Sequence, residues 1–455
     1  MHIVIAGGGE FGLELARELV KKYTVTVIDK NQSIEKTLEA LQIEFLHGNC
    51  ANTQVLHNAD LTNADYYIAC TDSDEINIIS CWTAKQLTTI ETICFVKRLE
   101  YIESLRSKNK LLGSFGLDHT IWPKKSLADD LEKIVSVPAA IDVEIFARGK
   151  VKLFEYRVKD STKMINTPLK NCQFPEGCII VGVTRENELH IPDGNTVLNV
   201  GDKVIFMGTD EALKSLSQRY FKQKDKQRLI TIIGGGTVGF MLAQRLEKEK
   251  VTVVIIENNY DRCEYLANNL KHALILNGDG TDLELLQSEQ IGQSDVLVSV
   301  TNNDEKNLLC SLLGKQLGVN KVLTRVEKTV NMRLFETVGI DVALSPKASS
   351  INEVLNITTI SDIDILAIVD SGRGEVLELI VSEDFEDTKV KDLNMPFKAI
   401  IGAVIRSRKV IVPKGDSVIQ PSDRLIVFTT KEDSTKVLKY FQQIEMIEEL
   451  TTNIH

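Results

Sequence analysis

The stretches IVIAGGGEFG (residues 3–12) and ITIIGGGTVG (residues 230–239) each set glycines at the spacing G-x-G-x-x-G directly after an apolar run. About twenty residues past each loop a second apolar stretch, YTVTVIDK or KVTVVIIEN, closes on an acid, Asp29 or Glu257. These residue types in this order suit the binding of a nucleotide through its phosphates and ribose. Gly7 and Gly234 allow a tight turn off the strand. Gly9 and Gly236 leave space where a Cβ would meet a pyrophosphate, and Gly12 and Gly239 let the following helix settle close against the sheet. The phosphates then lie over the free N–H groups and positive dipole end of that helix. A carboxylate at the end of the second strand accepts from the ribose hydroxyls and repels a 2′-phosphate. Asp29 and Glu257 therefore favour NAD(H), or the adenosine of ATP or ADP, over NADP(H). A lone G-x-G-x-x-G is weak, but strand, glycine loop, helix, strand and acid met twice in order define two Rossmann dinucleotide-binding units.

Further residues fall at strand ends that line the ligand crevice of such a sheet. CTDSDEIN (70–77) and VTNNDEKN (300–307) lie just past the fourth strand of each unit, so Thr71, Asp72, Thr301 and Asn302 can approach a bound nucleotide. Asp74, Glu75, Asp304 and Glu305 fit that role or that of helix N-terminal acids favoured by the dipole. Lys97, Arg98 and Arg325 near the fifth strand are candidates for phosphate contact or are surface cations. The two copies differ where the second reads Gly278-Asp279-Gly280 and the first Gly48-Asn49-Cys50, which predicts two sites of unlike affinity.

The elements that must position these residues form a duplicated chain. Matching segments recur at an offset of 227–230 residues, and a downstream pair, 168–211 and 389–433, repeats short alternating strands with turn signals such as Pro192-Asp193-Gly194 and Pro413-Lys414-Gly415. The predicted class is α/β: two Rossmann-like parallel-sheet domains, each followed by a small β-rich α+β domain. The expected limits are 1–125 and 229–350 for the large domains. A crossover helix and small domain occupy 126–220 and, again, 351–441. The hydrophilic stretch FKQKDKQR (221–228) reads as the linker between halves.

Composition narrows the class. With 455 residues, 43 % hydrophobic and 26 % charged, the chain is that of a folded multidomain protein. A formal net charge of −11 argues against attraction to nucleic acid or anionic lipid. No apolar run approaches the length of a membrane span, and MHIVIAGGG opens as a strand rather than a signal segment. The eight cysteines form no CxxC pair and suit a reducing cytoplasm. The clustered acids Glu383-Asp384 and Glu386-Asp387 lack the loop geometry of a Ca²⁺ site, so no metal is expected. Neither the seven scattered histidines nor any hydrolase motif assembles an acid/base group, so no catalytic residue is assigned and binding without turnover is the simpler expectation.

With these motifs in this order, IAGGGEFG…VIDK…CTDSDEIN and IIGGGTVG…IIEN…VTNNDEKN, the chain resembles the TrkA family over roughly residues 1–440. These are tandem-RCK (regulator of K⁺ conductance) cytoplasmic regulatory proteins of bacterial Trk potassium uptake systems. The resemblance implies a homo-oligomeric ring, dimer or tetramer, beneath an integral membrane potassium channel subunit of the TrkH or TrkG type. It implies NAD(H) as ligand, with ATP or ADP at one site, and gating by ligand-driven change of shape. Membrane attachment would run through the partner, without direct lipid insertion. Carried onto this sequence, the first site comprises Gly7, Gly8, Gly9, Glu10, Phe11, Asp29, Thr71, Asp72 and Arg98. The second comprises Gly234, Gly235, Gly236, Thr237, Val238, Glu257, Asp279, Thr301 and Arg325. An NAD-dependent oxidoreductase with a duplicated cofactor domain, and an RCK regulator of another cation transporter, are the alternatives.

Overall fold

The computed structural model describes residues 1–442 except 107–116, 137–141, 147–149, 160, 161, 163, 187, 221–227, 250, 359–362, 370–372 and 408. All but the last residue of the expected linker 221–228 lies outside the described residues. The first half opens with β1 (His2–Ala6), α1 (Glu10–Leu19), β2 (Thr24–Asp29), α2 (Glu35–Glu39), β3 (Glu44–His47) and α3 (Thr53–Asn58). It continues through β4 (Tyr66–Ala69), α4 (Asp74–Leu87), β5 (Glu91–Phe95), α5 (Leu99–Arg106), β6 (His119–Ile121) and α6 (Pro123–Ser136). A small domain follows: β7 (Asp142–Phe146), β8 (Val151–Arg157), β9 (Cys178–Arg185), β10 (Glu188–His190), β11 (Lys203–Gly208) and α7 (Asp210–Tyr220).

The second half repeats the order. Its large part runs β12 (Arg228–Ile233), α8 (Thr237–Leu246), β13 (Val251–Glu257), α9 (Tyr260–Asn269), β14 (Leu274–Asn277), α10 (Leu283–Ser288) and β15 (Val296–Ser299). Then come α11 (Asp304–Gln316), β16 (Lys321–Arg325), α12 (Met332–Thr337), β17 (Val342–Leu344) and α13 (Pro346–Thr358). Its small part runs β18 (Ile363–Val369), β19 (Gly374–Ile380), β20 (Thr388–Lys389), β21 (Ala399–Arg406), β22 (Lys409–Ile411), β23 (Val418–Ile419), β24 (Arg424–Thr430) and α14 (Ser434–Gln442).

The large sheets are parallel, with strand orders β3-β2-β1-β4-β5-β6 and β14-β13-β12-β15-β16-β17. The order reverses between β1 and β4, and between β12 and β15, and a ligand crevice opens at that reversal. The central strands are apolar on both faces because helices cover both: Ile3, Val4 and Ile5 are fully buried, each side chain contributing roughly 2 kcal/mol. On α1 the residues Gly12, Leu15, Ala16 and Leu19 share the buried face, the period of an amphipathic helix.

Like packs with like, not by order along the chain. One compact unit holds the described residues of 1–132 and 227–358, the two Rossmann sheets; the other holds those of 133–220 and 363–442. Within the first unit the crossover helices are exchanged. Helix α13 of the second half buries Ile351 and Val354 against Leu15, Leu19 and Ile3 of the first. Helix α6 of the first half lies along α8 of the second. There Met241 packs against the buried cluster that includes Trp122, and Arg245 bonds to Asp129 and approaches Glu132 at 3.4 Å. The two crossover helices meet where Ser126 Oγ donates to Glu353 Oε2 at 2.6 Å.

In the second unit the antiparallel sheets, ordered β10-β9-β11-β8-β7 and β18-β19-β24-β21-β22, share one apolar interface. Leu153, Ile205 and Met207 share a buried cluster with Val376, Ile426 and Phe428 there, and the Met207 side chain lies over Gly402, where an added Cβ would be 2.0 Å from its Sδ. Each small domain is stapled by a forked ion pair. Arg185 Nε and Nη2 donate to the two oxygens of buried Asp202 at 3.0 and 2.7 Å, and Arg406 does the same to buried Asp423 at 2.7 and 2.6 Å. No helix among the described residues is long and apolar enough to cross a membrane.

Candidate functional site

At the end of β1 and of β12 the chain turns through a glycine that only glycine accommodates easily: Gly7 has φ 109° and Gly234 φ 103°. The next constraint is steric. A Cβ on Gly12 would sit 1.8 Å from Gly7 O, and one on Gly239 2.0 Å from Gly234 O, so α1 and α8 start hard against their strands. A Cβ on Gly9 or Gly236 would instead meet nothing within 4 Å, the open side on which a phosphate belongs. Gly9 and Gly236 are also the N-caps of α1 and α8, and neither supplies a side-chain cap. Helices α4, α9, α10 and α11 are capped by Ser73, Asn259, Asp282 and Asn303. The two glycine-loop helices thus keep their first N–H groups open for an anion.

The acids are held in place by the loop they serve. Gly8 N–H donates to Asp29 Oδ2 at 2.6 Å and Asn31 N–H to Oδ1 at 2.7 Å. In the second copy Gly235 N–H donates to Glu257 Oε2 at 2.7 Å and Asn259 N–H to Oε1 at 2.9 Å. Each oxygen retains a lone pair for a ribose hydroxyl.

A residue of each strand-end motif acts as a brace. Asn77 and Asn307 are fully buried and satisfied on both ends of the amide. Asn307 Oδ1 accepts from Thr301 N–H at 2.9 Å and from Thr301 Oγ1 at 2.6 Å, while its Nδ2 donates to the carbonyls of Thr301 and Arg325, each at 3.1 Å. Asn77 joins Thr71 to the Phe95 carbonyl in the same way. Asp74 accepts from the backbone N–H of Lys97 and Arg98, and Asp304 from that of Glu327, so both first-turn acids tie the fifth-strand exit to the helix. We predict that Asn307→Leu, which strands the Thr301 and Arg325 groups, lowers stability by about 3 kcal/mol, read from a denaturant midpoint.

In the second copy these parts enclose a cavity of about 480 Å³ lined by Gly234, Gly236, Thr237, Val238, Glu257, Asp279, Thr301 and Arg325. The volume suits a nucleotide-sized ligand. Asp279 accepts from Thr281 N–H and Oγ1 and from Lys306 Nζ at 3.1 Å, contacts that hold its carboxyl below the usual range and keep it ionised. Cys310 forms part of the wall as an inert thiol, pushed up to about 12 chiefly by burial. Arg325 donates to Thr301 O, Asn302 Oδ1 and Glu327, yet its Nε is buried without a partner among the described residues. An orphaned guanidinium donor in a glycine-loop crevice fits a phosphorylated ligand.

The wall also contains cations that motif reading missed. Arg262 Nε donates to Gly235 O at 2.6 Å and its guanidinium lies 4.4 Å from the Tyr265 ring centroid. Lys306 and Lys124 line the same space.

The first copy brings together the Gly7–Gly12 loop, Asp29 and Thr71. Phe11 packs on Phe95 at 4.7 Å between centroids, and Glu10 pairs with Lys347 at 2.9 Å. Asn49 reproduces the loop turn of Asp279, Oδ1 accepting from Ala51 N–H at 3.0 Å, without the charge. Asp72 pairs with Lys97 at 3.2 Å. Arg98 is turned to Glu75 and Tyr101: the guanidinium lies 4.4 Å from the Tyr101 ring centroid and holds the Glu75 carboxyl down to about 2. Arg325 closes its fifth strand, whereas Arg98 stands beyond the end of its own, so the two are not equivalent in register. His119, on β6, faces Glu91 at 3.9 Å. No cluster able to hold a metal occurs among the described residues.

Paired Rossmann sheets with glycine-loop crevices, joined to paired small β domains, define a tandem nucleotide-binding module. Models of the TrkA-N domain match residues 3–123 and 230–346, and models of the TrkA-C domain match 153–219 and 376–442. The chain belongs to the TrkA family of Trk system potassium uptake proteins. It is 36 % identical to Trk system potassium uptake protein TrkA homolog 1 of Methanosarcina mazei, over 97 % of this chain and 100 % of that one. It is equally similar to the TrkA homolog of Archaeoglobus fulgidus, at 36 % with the same shares covered. In fold it resembles the GsuK RCK domain (TM-score 0.58, 20 % identity, 97 % of this chain and 94 % of that one). The GsuK channel bound to NAD matches with the same TM-score and identity, over 97 % of this chain and 78 % of that one.

Proposed function

We propose that this chain is a nucleotide-sensing regulatory subunit that gates a membrane potassium uptake system. The observation that carries the reading is the second crevice, where an open helix N-terminus, a loop-held ribose acceptor and an unsatisfied arginine donor converge. The family's potassium-uptake names and the NAD bound to the GsuK channel support it. NAD(H) is the expected ligand, with ATP or ADP at one of two unlike sites. Binding proceeds without turnover. The domains take the limits expected from the repeat. The protein works in the cytoplasm as a homo-oligomer, held at the inner face of the membrane by an integral potassium channel subunit of the TrkH or TrkG type. A nucleotide that binds one conformation better shifts the population toward it, by no more than its differential affinity allows.

The test is calorimetric titration of NADH, NAD⁺, ATP and ADP into wild type, Asp29→Ala and Glu257→Ala. Each substitution removes the ribose acceptor and frees the glycine-loop N–H it holds, so we expect at least a tenfold loss confined to its own site. Binding of none of the four nucleotides to wild type overturns the reading.

A further inference from the structure

We propose that Lys124, carried by the first half's crossover helix, binds the phosphates of the nucleotide held in the second half's crevice. The inference rests on the nucleotide reading above. Lys124 lines the same cavity as Gly236, Thr237 and Val238, the residues at the open start of α8. It arrives there because α6 is tied to α8 through Asp129 and Arg245, and Lys124 near the start of α6 shares one cavity wall with Thr237 at the start of α8.

Of the four cations in that wall, Arg262 and Lys306 are committed to protein acceptors, and Arg325 spends both terminal nitrogens on them and keeps only its Nε unpaired among the described residues. Lys124 has no side-chain hydrogen bond or ion pair among the described residues, although it is half-buried. A half-buried ammonium beside uncapped N–H groups favours a multiply charged anion.

The mirror position is occupied differently. Lys347, second residue of α13 as Lys124 is of α6, pairs with Glu10, the first residue of α1. The position of Glu10 is taken by Thr237 in the second copy, which leaves Lys124 uncompensated. The second crevice therefore prefers ligands with more phosphate charge than the first does. Nucleotide charge in the second half is also read by a helix that continues from the first half.

The experiment compares ADP, NAD⁺ and adenosine on the full chain, wild type against Lys124→Gln, with adenosine read by its displacement of ADP. At the second site ADP and NAD⁺ should weaken at least tenfold and adenosine less than threefold. Lys124→Arg should restore most of the phosphate affinity, and thermal melting of the unliganded protein should not move. Unchanged ADP affinity in Lys124→Gln overturns the assignment while the nucleotide reading stands. So does a parallel loss of ADP and adenosine, which marks Lys124 as a structural support. If wild type binds none of the three, the nucleotide reading fails and this inference with it.

Discussion

Gly239→Ala should abolish nucleotide binding at the second site and lower the stability of the Rossmann unit by about 3 kcal/mol. The added Cβ would lie 2.0 Å from Gly234 O and 3.2 Å from Gly234 C, so backbone must move. Gly234 cannot give way freely, since its φ of 103° is fixed by the turn between β12 and the loop. The start of α8 is then pushed from its strand, and the N–H groups that receive the phosphates go with it. Gly236→Ala is the control: its Cβ faces open space and its φ of −62° suits alanine. That variant should bind more weakly without melting earlier. Denaturant unfolding beside calorimetry separates the two, and a Gly239→Ala protein that melts and binds like wild type would falsify the close-packing account.

Arg406→Met should cost about 3–5 kcal/mol in the small β domains, because among the described residues it leaves the buried Asp423 carboxylate with only the Gln420 N–H at 2.8 Å as a strong donor. Arg406→Lys keeps a charge but not the fork that meets both oxygens, and should recover only part of the loss. Arg406→Met with Asp423→Leu should recover most of it, since the pair is replaced by apolar contact rather than broken. The readout is the midpoint of the β-domain transition. If the single and double variants unfold together, the staple contributes little.

The parts of the site that sequence disclosed are those fixed by local backbone chemistry. Gly7 and Gly234 must adopt positive φ, Gly12 and Gly239 must lack a Cβ, and Asp29 and Glu257 must end a strand; each constraint is satisfied within a few residues of where it is written. Asn77 and Asn307 are present in the motifs but resemble any polar residue of a first helical turn. Their role depends on a carbonyl 18 residues away that only the sheet brings near. Lys124 and Arg262 lie on helices outside the strand-end pattern. The same holds for architecture: the repeat implies the order large, small, large, small, while packing sorts the domains by kind and exchanges α6 with α13.

That exchange sets a timetable for synthesis. The buried cluster that includes Ile3, Leu15 and Leu19 also takes in Ile351 and Val354 of α13. At roughly 5–20 residues per second, a ribosome that has finished α6 needs roughly 10–45 s more to deliver α13. For that interval the emerging first domain carries an uncovered hydrophobic face, and a neighbouring nascent chain at the same stage offers the same one. Such a chain depends on protection during translation more than its finished form would indicate.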